Sequence, residues 1–151
     1  MDEHEEIISA FQKFKEFRNV IAKYEGKWFS GNDNHPGDIG EYWAMRYYES
    51  QNPKIAPMRT SPYDIELSDG TRLSIKTMTK WNKRGRGGPM KGIDGGLWKK
   101  FIAIKLNDDF EVEKFCIVPY EEFKKRGVKE KTAFTWWSWL DEFSKPFNIK
   151  R

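Results

Sequence analysis

The residues with the clearest chemical potential lie on two short segments, 63–67 and 72–78, on either side of Ser68-Asp69-Gly70. Tyr63, Ile65 and Leu67 are apolar at odd positions, as are Leu73 and Ile75, so both segments alternate as strands do. Directly opposed residues of a hairpin share a face. Both apolar sets therefore reach one core only if the numbers of paired residues sum to an even value. A two-residue Asp69-Gly70 loop pairs Ser68 with Thr71 and puts one set in water. A three-residue loop pairs Leu67 with Thr71, as a type I turn closed by a left-handed glycine. Burial of one face selects the three-residue loop. The other face then carries Asp64, Glu66, Ser74 and Lys76, with Asp64 across from Ser74. Two carboxylates and an ammonium on one patch are either a reactive site or an ordinary cross-strand ion pair on the wet side of an amphipathic sheet.

A helix must bring in the next candidate. It is expected from about Asp38 to Gln51, with the apolar stripe Ile39, Trp43, Ala44 and Tyr47, and Asn52-Pro53 ends it. Glu41 sits near its start, 23 residues before Asp64, and Lys76 follows Asp64 by twelve. Glu41 also has a local alternative, a capping-box-like pair with Asp38. A helix Glu, an Asp at a strand start and a Lys on the hairpin partner strand resemble the PD-(D/E)xK nuclease superfamily. That is the fold of many restriction endonucleases, Holliday-junction resolvases and phage exonucleases, and the likeness covers about residues 38–120. It implies a restriction-endonuclease-like domain that hydrolyses DNA phosphodiester bonds with Mg²⁺, or Mn²⁺ as a substitute. It further implies Glu41 and Asp64 as metal ligands, the Ile75 carbonyl as another, and Lys76 beside the attacking water.

Two departures from the family pattern stand out. The expected Pro-Asp pair is stretched to Pro62-Tyr63-Asp64. The acidic position before the lysine is Ser74, giving Ser74-Ile75-Lys76. Ser74 occupies a catalytic position without being a carboxylate ligand, so Glu66 on the same face, or Glu41, is the candidate for the missing charge. The departure keeps open a catalytically silent nucleic-acid-binding module of the same fold.

Charge is unevenly spread. From Arg72 to Lys105 there are ten basic residues and one acid, Asp94, whereas the rest of the chain holds 17 basic and 22 acidic residues. Such clustering is the footprint of a phosphate-binding surface. Within it, residues 80–96 hold six glycines and read as a long, mobile loop leaving the strand of Lys76. Lys80, Lys83, Arg84, Arg86 and Lys91 supply charge for a nucleic-acid backbone, and Trp81 supplies a surface for base stacking or for a homodimer contact.

The remaining elements frame this region. Residues 4–24 repeat Ile7, Phe11, Phe14, Phe17 and Ile21 at helical spacing. Strands fit Trp98–Leu106 and Glu111–Val118, a short helix fits Tyr120–Arg126, and the aromatic run from Phe134 to Leu140 reads as a helical turn. The expectation is one α/β or α+β domain over residues 1–151, a mixed central sheet flanked by helices. It comprises an N-terminal helix (1–25), a core (38–120) and a Trp-rich tail (128–151), the last also a candidate protein-interaction surface.

Composition excludes several classes. The single Cys116 rules out an intrachain disulfide and a cysteine zinc site, and is expected as a buried, inert thiol. Two histidines leave little for a histidine metal centre, and His35 reads as a loop residue. An acidic N-terminus argues against a signal peptide. With no apolar run of membrane-spanning length, a cytoplasmic, non-membrane protein is expected.

Overall fold

The computed structural model describes residues 2–31, 34–57, 62–82 and 84–149. Three helices, α1 (Glu3–Lys23), α2 (His35–Tyr47) and α3 (Tyr120–Lys125), accompany seven strands. The strands are β1 (Lys54–Ile55), β2 (Ile65–Glu66), β3 (Arg72–Thr79), β4 (Arg86–Pro89), β5 (Lys100–Leu106), β6 (Val112–Pro119) and β7 (Ala133–Thr135). The fold is mixed α+β. Its main sheet runs β1-β2-β3-β5-β6, antiparallel except for the parallel β3/β5 pair, and β4 pairs with β7 separately. Among the described residues no helix is long and apolar enough to cross a membrane.

The hairpin register is the expected one. Ile65 stands opposite Leu73 and Glu66 opposite Arg72, and the Leu67 N–H donates to the Thr71 carbonyl at 2.8 Å. Gly70 takes φ +86°, which a side chain would resist, and the Asp69 carboxylate accepts the Thr71 N–H.

Both faces of the sheet are covered. Ile65, Leu73, Ile75, Ile102 and Ile104 pack against Trp43, Ala44 and Met45 of α2. Met78, Phe101, Ala103, Cys116 and Val118 form a second core with Met90, Phe123, Phe134 and Leu140. This corrects the idea of a wet sheet face. The residues that cover it are the aromatics of the C-terminal segment and the arm around Met90, whose placement depends on long-range pairing. Residues 80–96 are accordingly not the expected long loop. β4 lies within them, Met90 and Ile93 are buried, and the Glu130 carboxylate accepts N–H bonds from Gly92, Ile93 and Asp94. The aromatic tail differs too: it begins as strand β7 and continues as a 3-10 helix over Ser138–Phe143. Cys116 is buried, as expected, and burial pushes its thiol up to about 11.

α2 begins earlier than Asp38. Asn34 caps it by accepting the Gly37 N–H, and Pro36 sits in the first turn, so His35 is helical rather than part of a loop. With the cap at Asn34, Asp38 and Glu41 do not form a capping box. α2 docks on β3 at Gly40, where a Cβ would lie 1.8 Å from the Thr77 Oγ1. Gly40→Ala should therefore overpack this junction, costing about 1–3 kcal/mol. For a chain of this size that is a fall in Tm of roughly 2–10 °C. A thermal melt unchanged within 1 °C would show that α2 can shift without penalty.

Candidate functional site

Asp64 owes its position to a break in the hairpin. Its N–H donates to the Leu73 carbonyl at 2.8 Å, although Leu73 stands opposite Ile65. Two consecutive residues thus face one, which is a bulge, and bulges re-aim side chains. The Asp64 carboxylate turns back along β3 and accepts the Ile75 N–H at 2.6 Å. A side chain does here what a longer β2 would have done with its backbone.

Glu41 arrives from α2, which the Gly40–Thr77 contact holds against β3. Its side chain is 6% exposed. Oε1 accepts the Ser30 hydroxyl at 3.1 Å, while Oε2 is buried without a hydrogen-bond partner. Glu41, Asp64, Ile75 and Lys76 line one cavity of about 690 Å³ at the outer edge of β3. The wall opposite α2 comes from Asn82, Arg84, Arg86, Gly87 and Gly88, and Trp81 sits on the rim, 46% exposed and edge-on to Phe110. A Cβ on Gly88 would come within 3.2 Å of the Lys76 Nζ, so the glycine lets the arm close over the ammonium. Asn82 shapes the arm. Its amide donates to the Arg86 carbonyl, and its side-chain oxygen accepts the Arg84 N–H.

The electrostatics follow from crowding two acids and one ammonium out of water. Burial and then the Asp64 charge raise Glu41 from 4.5 to about 8. Burial raises Asp64 from 3.8 to about 6, against the Ile75 hydrogen bond and the Lys76 and Lys91 charges that lower it. Lys76 is pulled below the ordinary lysine value by burial, which Asp64 counters and Lys91 reinforces. Without a cation the pair repels itself, and one oxygen has no donor.

The other sequence candidates divide. Arg84, Arg86 and Trp81 line the cavity. Lys91 acts on Asp64 and Lys76 through its charge but does not line it. Lys80 is exposed away from the lining, and Lys83 lies outside the described residues. Two expected site residues are corrected. Glu66 is one pair nearer the turn, 40% exposed and bonded to Arg72 at 3.1 Å, so its charge is spent outside the cavity. Ser74 is buried beside Phe101 of β5 and does not line the cavity, because the second core covers that face. Ser30, Asn82 and Gly88 escaped sequence reasoning: Ser30 and Gly88 matter through Glu41 and Lys76, each more than ten residues away, and Asn82 through the local fold of the arm.

The donor set suits a hard divalent cation of the Mg²⁺ kind, which takes one or two carboxylates and fills its shell with water and phosphate oxygens. Glu41 Oε2 offers an unpartnered buried oxygen, and Asp64 keeps a second oxygen beyond its bond to Ile75. Among the described residues no three His, Cys, Asp or Glu side chains gather as a metal cluster, so the acids present number two. No protein-family model matches the chain, and no curated protein matches it in sequence.

Proposed function

We propose that the chain is a Mg²⁺-dependent nuclease of the PD-(D/E)xK type, with the restriction-endonuclease-like fold, acting on phosphodiester bonds of DNA. The observation that carries this reading is the convergence of Glu41, Asp64 and Lys76 in one cavity walled by Arg84 and Arg86. Glu41 and Asp64 would hold the cation. When bound, Mg²⁺ polarises the scissile phosphate and lowers the pKa of a coordinated water. Lys76, a compact ammonium half-buried beside Asp64, orients the attacking oxygen and offsets charge developing on the phosphate. Arg84 and Arg86 bind flanking phosphates, and Trp81 gives the rim a face on which a base can stack. Ser74 in place of the third acid favours a second reading, a binding module without catalysis.

Cleavage assays on single-stranded, double-stranded and branched DNA with Mg²⁺, Mn²⁺ and no metal test the proposal. Metal-dependent products are expected, and binding without cleavage on every substrate moves the assignment to the second reading.

Metal binding should also register in stability. Both acids are raised in the folded state, so the stability they confer is complete below their unfolded values near pH 4. It is lost as pH rises through about 6 and 8. In chelator the protein should therefore lose this contribution between about pH 4 and about pH 8. A cation at a hundred times its Kd adds about 2.7 kcal/mol, or roughly 5–10 °C in Tm. Thermal melts should show a larger Mg²⁺ effect at pH 8 than at pH 5, because protons compete for the same oxygens. Equal effects at both pH values, or none, would count against Glu41 and Asp64 as the ligands.

A further inference from the structure

α1 is held by the rest of the chain only through its second half, where Phe14 and Phe17 meet His35 edge-on. From Glu3 to Val20 every residue is exposed except Ser9 and Phe17, and Ile21 is the one buried position. Ile7, Ile8, Phe11 and Phe14 are each at least half exposed, with Ile8 at 64% and Phe11 at 66%. Helices of this length gain most of their stability from packing an apolar face. Here Ile7, Phe11 and Phe14, spaced four and three apart, form such a face: Phe14 meets the rest of the chain edge-on at His35, and Ile7 and Phe11 are left exposed. Beside it, an apolar groove of about 1270 Å³ runs between α1 and α2, with Phe17, Trp28, Tyr42 and Phe110 in its wall.

The charges along α1 indicate what covers it. Asp2, Glu3, Glu5 and Glu6 open the helix, whereas Lys13, Lys15, Arg18 and Lys23, with the single acid Glu16, fill its second half. An antiparallel pair of identical helices sets each acidic start against the other's basic end. A parallel pair sets like against like. A two-fold axis produces such a self-complementary surface, the commonest arrangement of homodimers. We propose that α1 is a dimerisation helix that packs antiparallel against α1 of a second copy. Ile7, Phe11 and Phe14 form the seam, Glu3 faces Arg18 of the other copy beside it, and the groove receives the rim of the seam. Trp81 and Pro36 line both this groove and the Glu41–Asp64 cavity, so the dimer surface borders the candidate site without using its acids.

The test is the mass of the full chain in solution, by sedimentation velocity from about 1 to 100 µM protein. A dimer is expected, converted to monomer by Phe11→Asp and by Ile7→Asp, with a dimer Kd raised at least a hundredfold. Both positions are exposed, so circular dichroism of β-sheet and tail aromatics should be retained. Glu3→Lys should weaken the dimer roughly tenfold, as should Arg18→Glu. The two changes together should restore it. A monomeric wild type at 100 µM, a dimer indifferent to Phe11→Asp, or a double variant no better than either single charge change would overturn the proposal. So would a monomer that instead binds lipid vesicles through α1.

Discussion

Asp64→Asn is expected to abolish metal-dependent cleavage while leaving DNA binding intact or stronger. Among the described residues the carboxylate is one of two acids that line the cavity, and its loss leaves Glu41 as the other to hold a divalent cation. Removing a buried negative charge next to the phosphate path also relieves repulsion, which is why binding should not suffer. The same substitution should lower the Glu41 pKa, since the Asp64 charge is the second cause of its elevation. In chelator at pH 8 the variant should melt no lower than wild type. Lys76→Ala separates chemistry from metal binding. It should cost roughly 10²–10³-fold in rate, the scale for one electrostatic stabiliser, with the Mg²⁺-induced Tm gain retained. Single-turnover cleavage and melts on the same preparations check both. An Asp64→Asn protein that still cleaves at wild-type rate, or a Lys76→Ala protein that has lost its metal response, would sink the assigned roles.

Replacing Lys83, Arg84 and Arg86 together by Ala should flatten the salt dependence of DNA binding. Arg84 and Arg86 line the cavity wall from an arm that β4 and β7 hold in place, beside the acids proposed to act on a phosphate. Cations so placed are expected to contact the phosphate backbone rather than base edges if the proposal holds. Each phosphate contact adds about 0.9 to the slope of log K against log salt on duplex DNA, so the triple variant should lose roughly two to three units. The loss should be similar on two unrelated duplexes. An unchanged slope would put the nucleic acid elsewhere on the molecule. A loss confined to one duplex would mean that these side chains read bases.

Local rules carried part of this site and failed for the rest. The turn at Ser68-Asp69-Gly70 and the pairing of Ile65 with Leu73 follow from residue alternation, which is a nearest-neighbour property. The same even-sum rule also placed Asp64 and Lys76 within reach of one another. It erred for Ser74 and Glu66, because it treats the far face as solvent and the strand as unbroken. Phe123 and Phe134 cover that face from 49 and 60 residues downstream of Ser74, and no local pattern reports them. The bulge at Asp64 likewise has no signature in Tyr63-Asp64-Ile65. Six glycines between 80 and 96 suggested a pliable loop, yet Glu130 fastens its far end through three backbone N–H groups. A lone glutamate 36 to 38 residues downstream carries no sign of that role.

β2 ends after two residues, and among the described residues no strand pairs with the outer side of β3 from Ser74 to Thr79. An unpaired edge in the middle of a sheet is a template on which another chain can add a strand, the first step toward aggregation. Here the gap is occupied by Asp64, which claims the Ile75 N–H, and is flanked by Lys76, Glu41 and Arg86. An incoming strand would have to displace that carboxylate and bury the remaining charges. The groups proposed to act in phosphate chemistry therefore also guard the edge, and the opening proposed to admit a nucleic-acid strand is kept closed to a polypeptide one.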